Sequence, residues 1–243
     1  MKLFRLGRLQ FGLANSAMPA HVFQSKGGQI IALAPEGEQY LPNGEASLTN
    51  GVKSSQAFTA VFKASPNAIQ GTRIHPDGRA TTQRLLLPTA QWRCLYSPGD
   101  CVIEIHIPAG EALPMQDVFA SLHQAKQFFA LQSQTSKPSL FVCESWLMDD
   151  ALPLLMPESN IAAFSKLFYR IPFCTTDRQM LDRVFGFDVA NMSQATRLTQ
   201  LQTQIGMWYD EGNRCKEAFG FIPIAEINHS RKQEEPTSCR CIN

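Results

Sequence analysis

Charge of one sign is what this chain lacks most plainly. Its 22 Lys and Arg stand against 21 Asp and Glu, leaving a formal charge of +1 over 243 residues. Such a balance gives no electrostatic case for nucleic acid or an anionic membrane surface. No apolar run approaches the ~20 residues of a membrane span. The N-terminus opens on strand-like sequence rather than the apolar stretch of a signal peptide, so the expected location is the cytoplasm. A disulfide frame is missing too: seven cysteines, odd in number and scattered, read as free thiols in a reducing compartment. Cys239 and Cys241 form a lone C-x-C, and two thiols do not fill a tetrahedral zinc site, so no metal is expected. There is no internal repeat. What is present is apolar: 44% hydrophobic residues suffice for a sizeable core, and the length suits one large domain or two small ones.

Taken in order, Leu3 to Leu13 reads as a strand with Arg5 and Arg8 on opposite faces, because their separation is odd. One of them could point towards a ligand; a sheet-edge or surface arginine is the plainer alternative for either. Residues 14–56 form a loop-rich insertion of hairpins with one strand candidate, Gln29 to Ala34, and turn signals at Pro42-Asn43-Gly44 and Thr49-Asn50-Gly51. Strands are expected at Ala57–Ala64, Ala68–Ile74, Arg84–Leu87 and Trp92–Tyr96, an antiparallel meander leading into a crossover unit. Beyond Phe173, Thr176–Phe185 and Ser193–Asp210 read as helices. The second carries Leu198, Leu201, Ile205 and Trp208 as its apolar stripe and stops at Gly212. Phe219–Ile224 returns as a last strand, and residues 229–243 make a tail too polar to fold. Strands followed by alternating helices and strands predict an α+β domain with a mixed, mostly antiparallel sheet and flanking helices, spanning residues 1–228.

The centre of the chain is the most informative part. Cys101 to Ile107 alternates: Cys101, Ile103, Ile105 and Ile107 share one face of a strand, and Val102, Glu104 and His106 the other. A helix starts at Pro114, with Val118, Leu122, Ala125, Phe128 and Phe129 at helical spacing and Asp117 in its first turn. Leu140 to Trp146 is a second strand. A short helix from Asp149 to Met156, a helical turn around Ile161 and Phe164, and a strand from Leu167 to Phe173 follow. A strand-helix-strand crossover makes parallel neighbours, so the Ile103–Ile107 and Phe141–Ser145 strands should lie side by side. Glu104 and His106, two residues apart on one face, pair a carboxylate with an imidazole and could serve as a general base. The structural alternative is a histidine bonded to neighbouring backbone. Cys143 and Ser145 share a face, with Glu144 and Trp146 opposite. Cys143 would be a conceivable nucleophile if it lay across from His106, and is otherwise a packing residue. Ser145, at the strand's end, is placed to hydrogen-bond a substrate, with Cys143, Glu144, Trp146, Arg5 and Arg8 as further candidate contacts.

Several segments carry a resemblance. Arg5 to Phe11, Gly99-Asp100 running into Ile105-His106-Ile107-Pro108, Ala125 to Phe129, Cys143-Glu144-Ser145-Trp146-Leu147 and Ser159 to Phe164 resemble bacterial acyltransferase-like proteins with a GNAT-like C-terminal domain. The resemblance runs from Phe4 to about Phe221 and keeps the family's order. It implies the fold of the GCN5-related N-acetyltransferases, with acyl-CoA or acetyl-CoA as co-substrate and a small-molecule amine as acyl acceptor. It also implies that Tyr169 could act as general acid towards the leaving thiolate. Family members often carry an additional N-terminal domain, which here would be lost or supplied by a separate protein. The family's phosphate-binding turn (Arg or Gln, two residues, Gly, one residue, Gly or Ala) is replaced by Ile107-Pro108-Ala109-Gly110-Glu111-Ala112-Leu113-Pro114. Two prolines there remove amide donors, and Glu111 opposes a pyrophosphate. Ala109 and Gly110 are the positions the resemblance leaves for the cofactor. The competing expectation is a non-catalytic module of the same fold that binds a ligand or partner without CoA.

Overall fold

The computed structural model describes residues 1–47, 56–110, 112–132, 137–173, 178–186 and 192–227. In chain order its first ten strands are β1 Phe4–Leu6, β2 Leu9–Asn15, β3 His21–Ser25, β4 Ile30–Leu33, β5 Gln39–Tyr40, β6 Phe58–Thr59, β7 Phe62–Ala64, β8 Ala68–Ile74, β9 Ala80–Pro88 and β10 Trp92–Tyr96. Then come β11 Cys101–His106, α1 Met115–Gln132, β12 Leu140–Ser145, α2 Leu152–Leu155, α3 Asn160–Ser165, β13 Tyr169–Ile171, α4 Arg178–Val184, α5 Gln200–Asp210 and β14 Ala218–Pro223. The tail at 229–243, with Cys239 and Cys241, lies outside the described residues.

Two sheets account for most of the strands. The first has the order β1-β2-β11-β12-β14-β13, and the second β10-β3-β4-β8-β7 with β9 also on β8. All neighbours in the first sheet are antiparallel except β11 and β12, which run parallel as the crossover predicts. The alternation of β11 sorts its side chains between two cores. Ile103 and Ile105 pack with Val118, Leu122, Ala125 and Phe129 of α1, together with Leu9, Phe11 and Phe141. Val102, Leu140, Val142 and Phe221 face the other way, onto Val22, Ala32, Ala34, Ile74 and Tyr96 of the second sheet. The first sheet is thus sandwiched between helices and a second layer of strands. β7, β8 and β9 form the expected antiparallel meander, but β10 pairs with β3 instead of β9, and these strands lie over the central sheet.

Local chemistry explains where the elements depart from the sequence pattern. The expected Leu3–Leu13 strand is a hairpin, because Gly7 adopts φ 66° and reverses the chain. The loop-rich insertion contains β3, β4 and β5. The Asp149–Met156 helix is replaced by a 3-10 turn at Trp146–Met148 and the short α2. Asp149 Oδ1 accepts from the Ala151 N–H at 2.8 Å, drawing the chain into a turn. The Ser193–Asp210 helix begins only at Gln200, where Thr199 and Gln202 form a reciprocal capping box. Leu198 is consequently 85% exposed, and the buried stripe is Ile205, Gly206 and Tyr209.

Candidate active site

The parallel pair at the centre of the sheet opens towards its C-terminal end. Ladder pairing of β11 with β12 covers only Ile103↔Phe141 and Glu104↔Val142. Both strands continue on their outer sides: β11 stays paired with β2 as far as His106↔Gln10, and β12 with β14 as far as Ser145↔Ala218. Two strands held by their outer neighbours but not by each other diverge. The tips of open sheets are where ligands usually bind.

Glu104 and His106 lie on the face that carries Val102, beyond the point where the second sheet covers it. Their side chains keep 30% and 40% of their exposure, and His106 Nε2 stands 3.5 Å from Glu104 Oε2. Nε2 is buried and has no hydrogen-bond partner among the described residues. The expected structural alternative, a ring nitrogen tied down by backbone at that atom, is therefore not what is found. Across the gap, Glu144 occupies the same face of β12, opposite Phe219. Burial, with the charges of Glu217 and Glu104, holds its carboxyl above the usual range. An acid–imidazole pair facing a second carboxylate can take a proton from a substrate amine and pass it on.

The other expected residues fall into different places. Arg5 is exposed and in register with Gln10, which pairs with His106, so its backbone is two strand spacings, about 10 Å, from His106 on the same face. Arg8 sits in the β1–β2 turn rather than on a strand face. Its Nε donates to the Ala112 carbonyl at 2.7 Å, and its backbone N–H to Ser121 Oγ at 2.9 Å. It ties the first hairpin to the loop between β11 and α1. Ala109 and Gly110, in that loop, are exposed, and Gly110 adopts φ 93° with open space around it. Ser145 Oγ accepts from the Leu147 N–H at 3.2 Å and caps the 3-10 turn. Trp146 is buried among helix-side residues, its N–H donating to Gln179 Oε1 at 3.1 Å. Cys143 lies on the opposite face from Glu104 and His106, 1% exposed in the helix-side core. Burial, then the charges of Glu144 and Glu104, push its thiol up to about 12, so it stays protonated at neutral pH. Tyr169 shares the face of Glu144, but three strand spacings, about 14 Å, separate it from Glu104 along one row. Its hydroxyl donates to Glu226 Oε1 at 3.1 Å. The structure brings together Glu104, His106 and Glu144, and leaves Tyr169 apart.

One group of residues went unnoticed in the sequence. A cavity of about 60 Å³ lies where the end of β13, the segment after β12 and the start of β14 meet the turns of the second layer. Asp149 in its wall is 4% exposed, and burial raises its carboxyl to about 6 although amides of Ala151 and Lys216 bond it. Arg79 bridges Glu45 and Asp150, and Lys216 Nζ meets Glu45 at 2.7 Å. These charges come from positions scattered over the chain, which is why no spacing revealed them. Among the described residues no group of three or more His, Cys, Asp or Glu side chains could hold a metal ion, and no helix is long and apolar enough to cross a membrane.

A mixed sheet with one diverging parallel pair, helices on one face and a crossover helix after the central strand defines an acyltransferase-like α+β fold of GNAT type. The chain belongs to the family of the GNAT-like C-terminal domain, whose model matches residues 3–222. Two solved structures share the fold. An acyltransferase mutant in complex with octanoyl-CoA aligns with a TM-score of 0.53 at 16% identity, over 91% of this chain and 46% of that one. An acyltransferase in complex with decanoyl-CoA and teicoplanin aligns with a TM-score of 0.51 at 16% identity, over the same shares. The chain therefore spans a little under half the length of these proteins. No curated protein sequence matches it.

Proposed function

We propose that this chain transfers an acyl group from an acyl-CoA to a small-molecule amine at the diverging ends of β11 and β12. The observation that carries this is the parallel ladder that stops after Glu104↔Val142 while both strands run on. A thioester laid in that gap has free strand-edge donors and acceptors beside it. The amine attacks the thioester carbonyl, a C–N bond forms, the C–S bond breaks, and the CoA thiolate leaves. The ammonium proton goes to the Glu104–His106 pair, the imidazole taking it and Glu104 stabilising the imidazolium that results. Arg5 lies further along the same face, on the side where the donor's phosphates would extend.

The loop that would meet those phosphates is unlike the usual turn. Pro108 and Pro114 in it lack an N–H, and the Pro114 carbonyl accepts from Asp117 and Val118. Fewer amide donors point to a weaker grip on the pyrophosphate, with more of the binding carried by the acyl chain and pantetheine. The related folds hold octanoyl-CoA and decanoyl-CoA, and a medium-length acyl chain is the donor proposed here. Calorimetric titration with acetyl-CoA, octanoyl-CoA and decanoyl-CoA tests this. Binding that tightens with chain length is expected; heats no larger than the buffer blank for all three would remove the proposal.

A further inference from the structure

A second group of reactive side chains lies on the covering layer, in β10 and the turn that follows it. Cys94 of β10 is exposed and its thiol is free. Cys94 and Ser97 are three residues apart, which on a regular strand places them on opposite faces. β10 is not regular: Cys94 pairs with Phe23 and Tyr96 with Val22, so Leu95 is an extra residue in the ladder. A bulge of this kind re-aims the side chains around it. Ser97 comes to the side of Cys94, its Oγ 3.5 Å from Cys94 Sγ. The neighbouring strand, β3, supplies the third group: His21 Nδ1 is 3.1 Å from the same Ser97 Oγ.

Separate contacts hold the serine and the histidine. The Ser97 N–H donates to Asp100 Oδ2 at 2.7 Å. The imidazole lies flat against the Phe62 ring, with 3.8 Å between centroids and 8° between planes. Burial keeps the His21 ring below its usual range despite the opposing charge of Asp100, so it is neutral at neutral pH and has a lone pair to offer. With the ring proton on Nε2, Nδ1 accepts from the Ser97 hydroxyl, and that oxygen accepts from the thiol. The thiol's other neighbour, the Tyr96 carbonyl at 3.4 Å, can share its proton but leads no further. A nucleophile, a relaying hydroxyl and a base in one row are what the activation of a thiol requires.

We propose that Cys94 is a thiol–disulfide exchange site, whose sulfur attacks a small-molecule disulfide while its proton passes through Ser97 to His21. A bond forms between Cys94 Sγ and one sulfur of the disulfide, the original S–S bond breaks, and the second sulfur leaves as a thiolate that takes the proton back from the imidazolium. Cys94 ends as a mixed disulfide and the leaving sulfur as a thiol. The site is independent of the proposed acyl transfer. Oxidised glutathione is the probe, with the rate read from intact mass at pH 7 and the residue from peptide mapping. Cys94 should react first among the cysteines, and at least about 10-fold faster than N-acetylcysteine, a modest share of what a positioned base contributes. Ser97→Ala and His21→Gln should each bring the rate down to that of the free thiol. Ser97→Thr keeps the hydroxyl and should restore it, which a purely structural role for Ser97 does not predict. The Asp100 contact is made by the Ser97 backbone, so Ser97→Ala retains it, and an unchanged melting temperature checks that the variant is folded. Faster reaction at another cysteine, a wild-type rate no greater than that of N-acetylcysteine, a Ser97→Ala rate equal to wild type, or no recovery in Ser97→Thr overturns the proposal.

Discussion

The two ends of the central parallel pair are built from the same alternating pattern and behave oppositely. At the beginning of β11 and β12, Val102, Ile103, Leu140, Phe141 and Val142 are at most 2% exposed, locked between α1 and the second sheet. At their ends the face of Val102, Leu140 and Val142 carries Glu104, His106 and Glu144, half-buried or exposed, while the face of Ile103 and Phe141 stays packed through Ile105 and Cys143, and the ladder between the strands has stopped. One end is shaped by packing and the other by charge. The lesson is that a single strand can be structural in its first half and chemical in its second, and that the covering layer sets the border.

This contrast can be broken by mutation. Glu104→Gln and His106→Gln should each lower the rate of acyl transfer by about 10²–10⁴-fold while acyl-CoA affinity stays the same. Stopped-flow detection of CoA release measures the first quantity and calorimetry the second. Phe141→Ala, one strand turn away at the packed end, should instead cost about 3–5 kcal/mol of stability, read from urea unfolding. His106→Gln should remain within about 0.5 kcal/mol of wild type in the same experiment.

Asp149 sharpens the comparison, since it is a charge placed in a packed environment. Its carboxyl is raised from 3.8 to about 6, chiefly by burial. The native state therefore holds this proton over a range in which the unfolded chain has released it. The favourable contribution is complete below about pH 4 and is lost as the pH rises through 6, a swing of up to about 3 kcal/mol. Unfolding free energies of wild type and Asp149→Asn, measured from pH 4 to 7, should differ in slope by this amount, the wild type losing stability relative to the variant. The smallest effect is expected at Cys143. Cys143→Ala should leave transfer unaltered, and iodoacetamide should modify the exposed Cys94 well before Cys143 in the native protein.

Much of the central unit was legible because its signals are local. Alternation in Cys101–Ile107 gave the faces, and the crossover gave the parallel pairing. The family's segments, read in order, gave the fold. The boundaries that moved were set by single hydrogen bonds or dihedral angles, such as Gly7 in the first hairpin and Thr199 ahead of α5, which compete with periodicity on equal terms. Cys143 illustrates a different loss: its own strand pattern showed which residues share its face, but only the register of β12 against β11 shows that this face is not the one bearing His106. The cavity around Arg170 was invisible because Glu45, Arg79, Asp149, Arg170 and Lys216 lie on separate turns and strands that meet only after the second sheet closes over the first.

The hydrogen bond from Arg8 to Ala112 couples the opening residues of the polypeptide to a loop more than a hundred positions downstream. That loop leaves the tip of β11, so its stiffness is on loan from the first hairpin. Amide exchange at Ala109, Gly110, Ala112 and Leu113 should quicken when Arg8 is shortened to alanine, even though none of these residues is altered. The earliest part of the chain thus acts as a strut for its central connection.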